Sequence, residues 1–309
     1  MHQKGPILIF IILMRIYYGV SDQCIDVTHI CLEQLTKQSI LTIPNGDIVR
    51  SSYFTDPLHG IKKSIFVETN DRITEFNDGY TIKINTMDNT ILTMHENEIM
   101  DKITILHSTL KIKYGQLQEE YPEQKMTARY LTGKEKVLEI GGNIGRNTLM
   151  IASLLEDDRN LVTLESDTHI AKQLTENREL NGFHFHIECS ALSKRKLIQK
   201  GWDTFPSDTL QEGYTWVNTL DLYQLNQKYS ILFDTLVLDC EGAFYYILMD
   251  MPEILNHIQL IIMENDYHDI QHKLFVDDML KKNNFYVDYY ECGGWGPCYS
   301  HFFEVWKRA

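Results

Sequence analysis

The sequence predicts an α/β fold: a doubly wound, mostly parallel sheet of seven strands closed by an antiparallel hairpin, with a smaller β-rich region in front of it. Three observations carry that reading. From Lys136 onward, apolar strand-like runs alternate with amphipathic helical stretches, which requires a parallel sheet covered on both faces. The last two strand-like runs have no helix between them and read as a hairpin at the sheet edge. Before about residue 113, short β-prone runs are separated by turn signals. The boundaries that follow are an apolar segment at 1–20, a β-rich domain at 21–113 and an α/β domain at 114–309.

Composition sets outer limits. The chain has 309 residues, 43% of them apolar and 11% aromatic, enough for a sizeable core. Its formal charge is −14, and its longest basic cluster is "SKRK", Ser193 to Lys196. A protein this acidic repels phosphate backbones, which argues against a nucleic-acid partner. Oligomeric state is not legible.

At the N-terminus, "GPILIFIILM" (Gly5 to Met14) follows Lys4 as a signal peptide's core follows its charged end, and "GVS" (Gly19 to Ser21) offers small residues for cleavage. Arg15 interrupts the run, which is too short to cross a bilayer. The competing reading is a buried first strand continuing into "RIYYGV". Residues 7–20 are the one stretch suited to membrane association; without export the protein is cytoplasmic. Cys24 with Cys31, and Cys292 with Cys298, can pair in an oxidising compartment, whereas Cys240 reads as a small core residue. Metal-binding CxxC spacing is absent.

The β-rich region contains "SIFVET" (Ser64 to Thr69), "YTIKIN" (Tyr80 to Asn85) and "TILTMH" (Thr90 to His95), with turns at "IPNGD", "NDG" and "MDN". Its histidines are scattered and none has ligand spacing to another. "GQLQEEYPEQKMTARYL" (Gly115 to Leu131) reads as a linker and short helix broken by Pro122. Five strand–helix units follow: strands "KVLEI", "NLVTLES", "FHFHIE" (Phe183 to Glu188), "LFDTLVLD" (Leu232 to Asp239) and "IQLIIMEN" (Ile258 to Asn265). An insertion, Lys196 to Asp221, carries Trp202, Phe205, Tyr214 and Trp216, aromatics suited to a hydrophobic lid or to stacking on a sugar. "FYVDYY" and "HFFEVW" close the chain.

Ligands of such sheets sit outside the carboxyl ends of the strands, where strand order reverses. The tip of the first strand is "VLEIGGNIGRNT", Val137 to Thr148. Gly141, Gly142 and Gly145 let a ligand approach the backbone. Glu139 just before them repels a pyrophosphate but not a cationic sulfonium, and the G-x-G-x-x-G of dinucleotide sites is missing. Glu165, about twenty residues on, stands where a carboxylate accepts ribose hydroxyls. The third strand ends in "ECSALS", which brings Cys189 to Ala191 near an adenine; His184 and His186 lack a third ligand. Asp239, Glu241, Glu264, Asp266 and His268 crowd the same edge, an acidic floor able to deprotonate a hydroxyl directly or to hold a divalent ion. Glu264 and His268 are the candidate bases, and Asp266 or Asp269 suits a helix N-cap.

Five such units plus a hairpin is the class I methyltransferase layout. The ordered segments "VLEIGGNIGRNTL", "LESD…LTENRELN", "ECSALS", "VNTLDLYQL", "LVLDCEGAFYYIL" and "IIMEN" resemble FkbM-type S-adenosylmethionine-dependent methyltransferases over Val137 to Asn265. The resemblance implies that Glu139, Gly141, Asn143 and Gly145 line the methionine and ribose part, that Glu165 takes the ribose and that Ala191 lies near adenine. It sets Asp239, Glu241 and Gly242 toward the acceptor. Three departures stand out. Gly142 replaces the family's Ala, a change that reads as tolerable; Leu238 stands nearest the family's lysine; Phe244 replaces its second acid. The expected activity is O-methylation of a small-molecule or glycan hydroxyl. The competing reading is a non-catalytic scaffold whose β-rich region binds a glycan or partner; a NAD-dependent oxidoreductase is the third.

Overall fold

The computed structural model describes residues 14–69, 72–87, 89, 91–201 and 203–309. The chain divides into two units, 1–100 and 101–309. All six cysteines are free. Among the described residues, no helix is long and apolar enough to cross a membrane.

In the first unit, β1 (Met14–Val20) and β2 (Gln23–Asp26) form a hairpin, followed by α1 (Thr28–Gln34), β3 (Thr36–Lys37), β4 (Ile40–Ile43) and α2 (Asp47–Phe54). Next come β5 (Ser64–Thr69), β6 (Arg72–Phe76), β7 (Tyr80–Asn85), β8 (Ile91–His95) and α3 (Glu96–Thr109), the helix in which the division falls. Two antiparallel sheets result, ordered β2-β1-β5-β6 and β3-β4-β7-β8. Alternate residues such as Ile16 and Tyr18, Ile65 and Val67, and Ile82 and Ile84 meet in one core. Met14–Val20 is therefore a strand, paired on both edges, and a cut at Gly19–Ser21 would part it from β2. The expectations for Gly5 to Leu13 lie outside the described residues.

Buried cations fix this unit's turns. Arg50 is fully buried and donates to the carbonyls of Pro44, Asn77 and Tyr80 at 2.8, 3.0 and 2.6 Å. Burial pulls its pKa down to about 10. Lys63 is held by Asp47 and Asp56, each at 2.9 Å, and Asp47 also accepts from the Tyr18 hydroxyl at 2.6 Å.

The second unit opens with a 3₁₀ turn (Leu117–Glu120) running into α4 (Tyr121–Tyr130). Pro122 sits in the first turn of α4, where its missing N–H costs nothing, so it begins the helix instead of breaking it. The alternating part is β9 (Val137–Ile140), α5 (Arg146–Leu154), β10 (Leu161–Leu164), α6 (Thr168–Leu180) and β11 (His186–Glu188). After β12 (Ala191–Leu192), the insertion contributes β13 (Leu197–Lys200), β14 (Asp203–Pro206), β15 (Thr215–Val217) and β16 (Thr219–Leu220). Then follow α7 (Leu222–Tyr229), β17 (Thr235–Leu238), α8 (Phe244–Asp250), β18 (Leu260–Glu264), α9 (Ile270–Lys282), β19 (Phe285–Glu291) and β20 (Phe303–Arg308).

The main sheet is ordered β11-β10-β9-β17-β18-β20-β19. Its first five strands are parallel, and β20 runs antiparallel to both neighbours. This is the class I methyltransferase sheet with its closing hairpin. Every residue of β9, β10 and β17 is buried, as central strands covered on both faces must be. Two expectations change. The third strand is shorter than "FHFHIE", since only His186–Glu188 pairs with β10. The insertion is ordered antiparallel sheet, β14-β13-β15.

Arg50 yields a test. Replacing Arg50 with Met keeps the apolar stem but orphans three buried carbonyls, a loss of about 2–5 kcal/mol. Hydrogen exchange in peptides spanning residues 44–80 should accelerate; unchanged protection there contradicts this account.

Candidate functional site

Strand order reverses between β10-β9 and β17-β18, and the carboxyl ends of these strands open into a cavity of about 570 Å³. Its floor is the loop after β9. The amides of Gly141 and Gly142 both donate to the Leu164 carbonyl, at 3.0 and 2.9 Å, and the Asp239 amide donates to Ile140 O at 3.1 Å. Gly141 is left-handed (φ +95°), and a Cβ there would overlap the Asp239 carbonyl. Asn143 (φ +46°) and Glu241 (φ +51°) are also left-handed, a conformation that side-chain-bearing residues hold only when their surroundings enforce it.

Of the residues expected to hold a cofactor, Gly141, Asn143, Glu165 and Ala191 line the cavity. Glu165 is tied into the loop: one oxygen accepts from the Asn143 amide at 2.9 Å, the other from the Asp167 amide at 2.7 Å. Glu139, Gly142, Gly145 and Cys189 are not among the residues that line it. Glu139 lies beneath the loop, 2% exposed, and accepts from the Thr148 hydroxyl at 2.6 Å. Burial raises its pKa to about 7. Gly142 and Gly145 serve packing: a Cβ on Gly142 would overlap Thr163 Oγ1, and one on Gly145 would press into Leu174. With Thr163 where it stands, a side chain at position 142 has no room.

On the acceptor side, Asp239, Glu241 and Glu264 line the cavity. His268 does not; it is exposed, its ring 4.5 Å from that of Trp295, so it is withdrawn as a base. Asp266 accepts from the Gly242 amide at 2.7 Å, and it is Asp269 that caps α9. Burial, then the facing carboxylates Asp239 and Glu123, lift the Glu264 pKa well above the usual range. A carboxyl that keeps its proton donates at neutral pH, so Glu264 too is withdrawn as a base.

Four lining carboxylates escaped the sequence reading: Asp167, Asp250, and Glu120 and Glu123 from the segment taken as linker. Glu120 accepts from Arg146 Nη1 at 3.0 Å and from the Asn147 amide at 3.2 Å. Buried Gln124 bonds Leu117 O at 2.7 Å, Arg146 O at 3.3 Å and His107 at 2.7 Å, which pins α4 to the glycine loop. The insertion supplies another wall through Leu197, Gln199, Gly201, Thr204 and Pro206. Phe205, Tyr214 and Trp216 do not line the cavity, and Trp202 lies outside the described residues. Among described lining residues eight are Asp or Glu, and none is Lys, Arg or His. No group of three or more His, Cys, Asp or Glu among the described residues is placed to hold a metal ion.

No protein-family model matches the chain, and no curated protein matches it. Solved structures do. The O-methyltransferase from Bacillus cereus in complex with SAH is 14% identical, covering 70% of this chain and 92% of that one, at a TM-score of 0.39. The ribosomal protein L11 methylase from Lactobacillus delbrueckii subsp. bulgaricus is 11% identical (64% and 82% covered, TM-score 0.39). A protein of the NADB-Rossmann superfamily from Streptococcus agalactiae is 12% identical (62% and 69% covered, TM-score 0.41).

Two outcomes test the site's physics. Gly142→Ala should destabilise by about 1–3 kcal/mol through overpacking, and Thr163→Ala in the same chain should recover most of it. Additive losses in that double-mutant cycle contradict the contact. The Glu139 carboxyl is raised from 4.5 to about 7, so its contribution to stability is complete below about pH 4.5 and lost as pH rises through about 7. The melting temperature should therefore be higher near about pH 5.5 than about pH 7.5, with a smaller difference in Glu139→Gln.

Proposed function

We propose that the chain is an S-adenosylmethionine-dependent methyltransferase of FkbM type, acting on a hydroxyl of a small molecule or glycan. One observation carries the reading: a glycine-floored cavity at the strand-order switch whose described lining has carboxylates and no basic side chain. Such a site opposes the pyrophosphate of a dinucleotide and favours a ligand with a net cationic centre. The residues present fit the methyl donor. Gly141 and Asn143 offer backbone at close range, Glu165 stands at the end of the second strand, and Ser190 to Leu192 lie at the end of the third. Bound there, the donor supplies a methyl group on a sulfonium, ready for displacement by an oxygen.

The protein's own work is to position the acceptor and take its proton. Asp239 and Glu241 are the carboxylates that do so. Burial, then Glu120 and Glu123, raise the Asp239 pKa, so Asp239 favours its protonated form and serves to hold the acceptor hydroxyl, while Glu241 is the carboxylate placed to take the proton. Glu241 is exposed in its left-handed turn, and its neighbour Gly242 is bonded to Asp266. The acidic walls also disfavour phosphorylated and nucleic-acid acceptors.

Calorimetry with S-adenosylmethionine tests the reading. The wild-type protein should bind it, and Glu165→Ala should weaken binding by about tenfold or more, the worth of hydrogen bonds to a charged group. Wild-type protein that shows no binding heat, with or without Mg²⁺, refutes the assignment.

A further inference from the structure

The least comfortable group in the cavity wall is Glu123. It is 9% exposed, lines the main cavity, and its Oε2 is buried with no donor to receive. Glu264 lines the same cavity and the same small void, and two acids facing one enclosed space call for either a proton or a cation between them. Together with Gly141, Asp239 and Glu120 they bound that void of about 10 Å³, no larger than a water needs.

Among the described residues that line either space, none is Lys, Arg or His. Arg146 is committed to Glu119 and Glu120, and Lys125 to Glu291 at 2.6 Å. The other groups facing the pair are acids. Glu120 comes from the 3₁₀ turn, Glu139 from β9 and Asp239 from the end of β17. Asp266 acts on Glu264 from the loop after β18, and Glu291 on Glu123 from β19. Two carboxyls bounding one enclosed void out of water favour a shared proton, and a positive charge arriving at Gly141, which bounds the same void, can replace that proton.

We propose that the Glu123–Glu264 pair reads the charge of the methyl donor: it gives up its shared proton to a sulfonium and keeps it against the neutral thioether product. The proposal rests on the methyl-donor reading above and assigns to α4, which lies outside the strand–helix alternation, a part in discriminating donor from spent donor. No bond is made or broken in the protein; one proton leaves for solvent when the sulfonium form binds and returns when the thioether form remains. Product release is thereby favoured at neutral pH, because the spent donor has lost the charge that the pair recognises.

Affinities for S-adenosylmethionine and S-adenosylhomocysteine, measured calorimetrically from about pH 6 to about pH 8, test this directly. The sulfonium makes the ligand's own amino group more acidic than that of the thioether, so the titration of each free ligand is measured and subtracted before the ratio of the two affinities is read. In the wild type that ratio should rise with pH, approaching about tenfold per unit where one full proton is released. Titrations in buffers of different ionisation enthalpy should show a proton released by the sulfonium ligand alone. In Glu123→Gln and in Glu264→Gln the pH dependence of the ratio should flatten. A wild-type ratio that stays level across the range overturns the proposal whether or not either variant folds, and so does an unchanged slope in both folded variants. Failure of both ligands to bind the wild type at every pH is a different result: it removes the methyl-donor reading itself.

Discussion

Everything at the site depends on how closely β9 and β17 approach at their carboxyl ends. The strands are in register through Leu238 and Ile140, and the next residues are Gly141 and Asp239. A side chain at Gly141 would collide with the Asp239 carbonyl, so glycine is what lets the two ends meet. Once they meet, the Gly141 and Gly142 amides turn onto Leu164 O and draw in the end of β10 as well. Three strand tips are thus clamped by one close contact, and the carboxylates on them, Asp239 and Glu165, are delivered to a common cavity.

That convergence has an electrostatic cost. Carboxyls brought together out of water raise one another's pKa, and burial adds to the effect. The structure relieves it unevenly. Glu165 has backbone amides on both oxygens, Glu120 has Arg146, and Glu188 at the outer edge has Lys228 at 2.5 Å. Glu123 and Glu264 line the same wall, and Glu123 Oε2 has no hydrogen-bond partner among the described residues. Residues that could have been neutralised by a lysine or arginine at little structural expense are instead left facing an open cavity, the arrangement expected where a ligand brings the positive charge.

What was legible in the sequence follows from range. The sheet could be read because β9, β10 and β17 are buried on both faces and show as continuous apolar runs, and because the helices between them are amphipathic. Glu165 and Asp239 could be placed because each stands immediately after a strand, where topology alone decides the position. Residues whose role depends on which way a turn faces could not. Glu139 precedes the glycine loop by two positions, but the pleat and Thr148 hold it beneath the loop. His268 shares the edge with Glu264 but packs on Trp295, a partner from the distant hairpin loop. Glu120 and Glu123 were hidden for another reason: Pro122 between them reads as a helix breaker until the helix is seen to start at that turn.

The departures from the FkbM pattern then acquire a common sense. At the position of the family's second acid, Phe244 is 1% exposed and belongs to the hydrophobic core beneath the cavity, so no carboxyl there faces the ligand. A carboxyl reaches the cavity from the opposite direction instead, on α4, where Gln124 locks the helix to the loop by way of Leu117 and Arg146. The same exchange accounts for Gly142: a side chain there is given up so that Thr163 of β10 can lie against the loop, which brings Glu165 within reach of the Asn143 amide. With Phe244 apolar on α8 and Glu123 acidic on α4, it is the segment preceding the sheet, locked to the glycine loop, that carries the carboxylate on this wall.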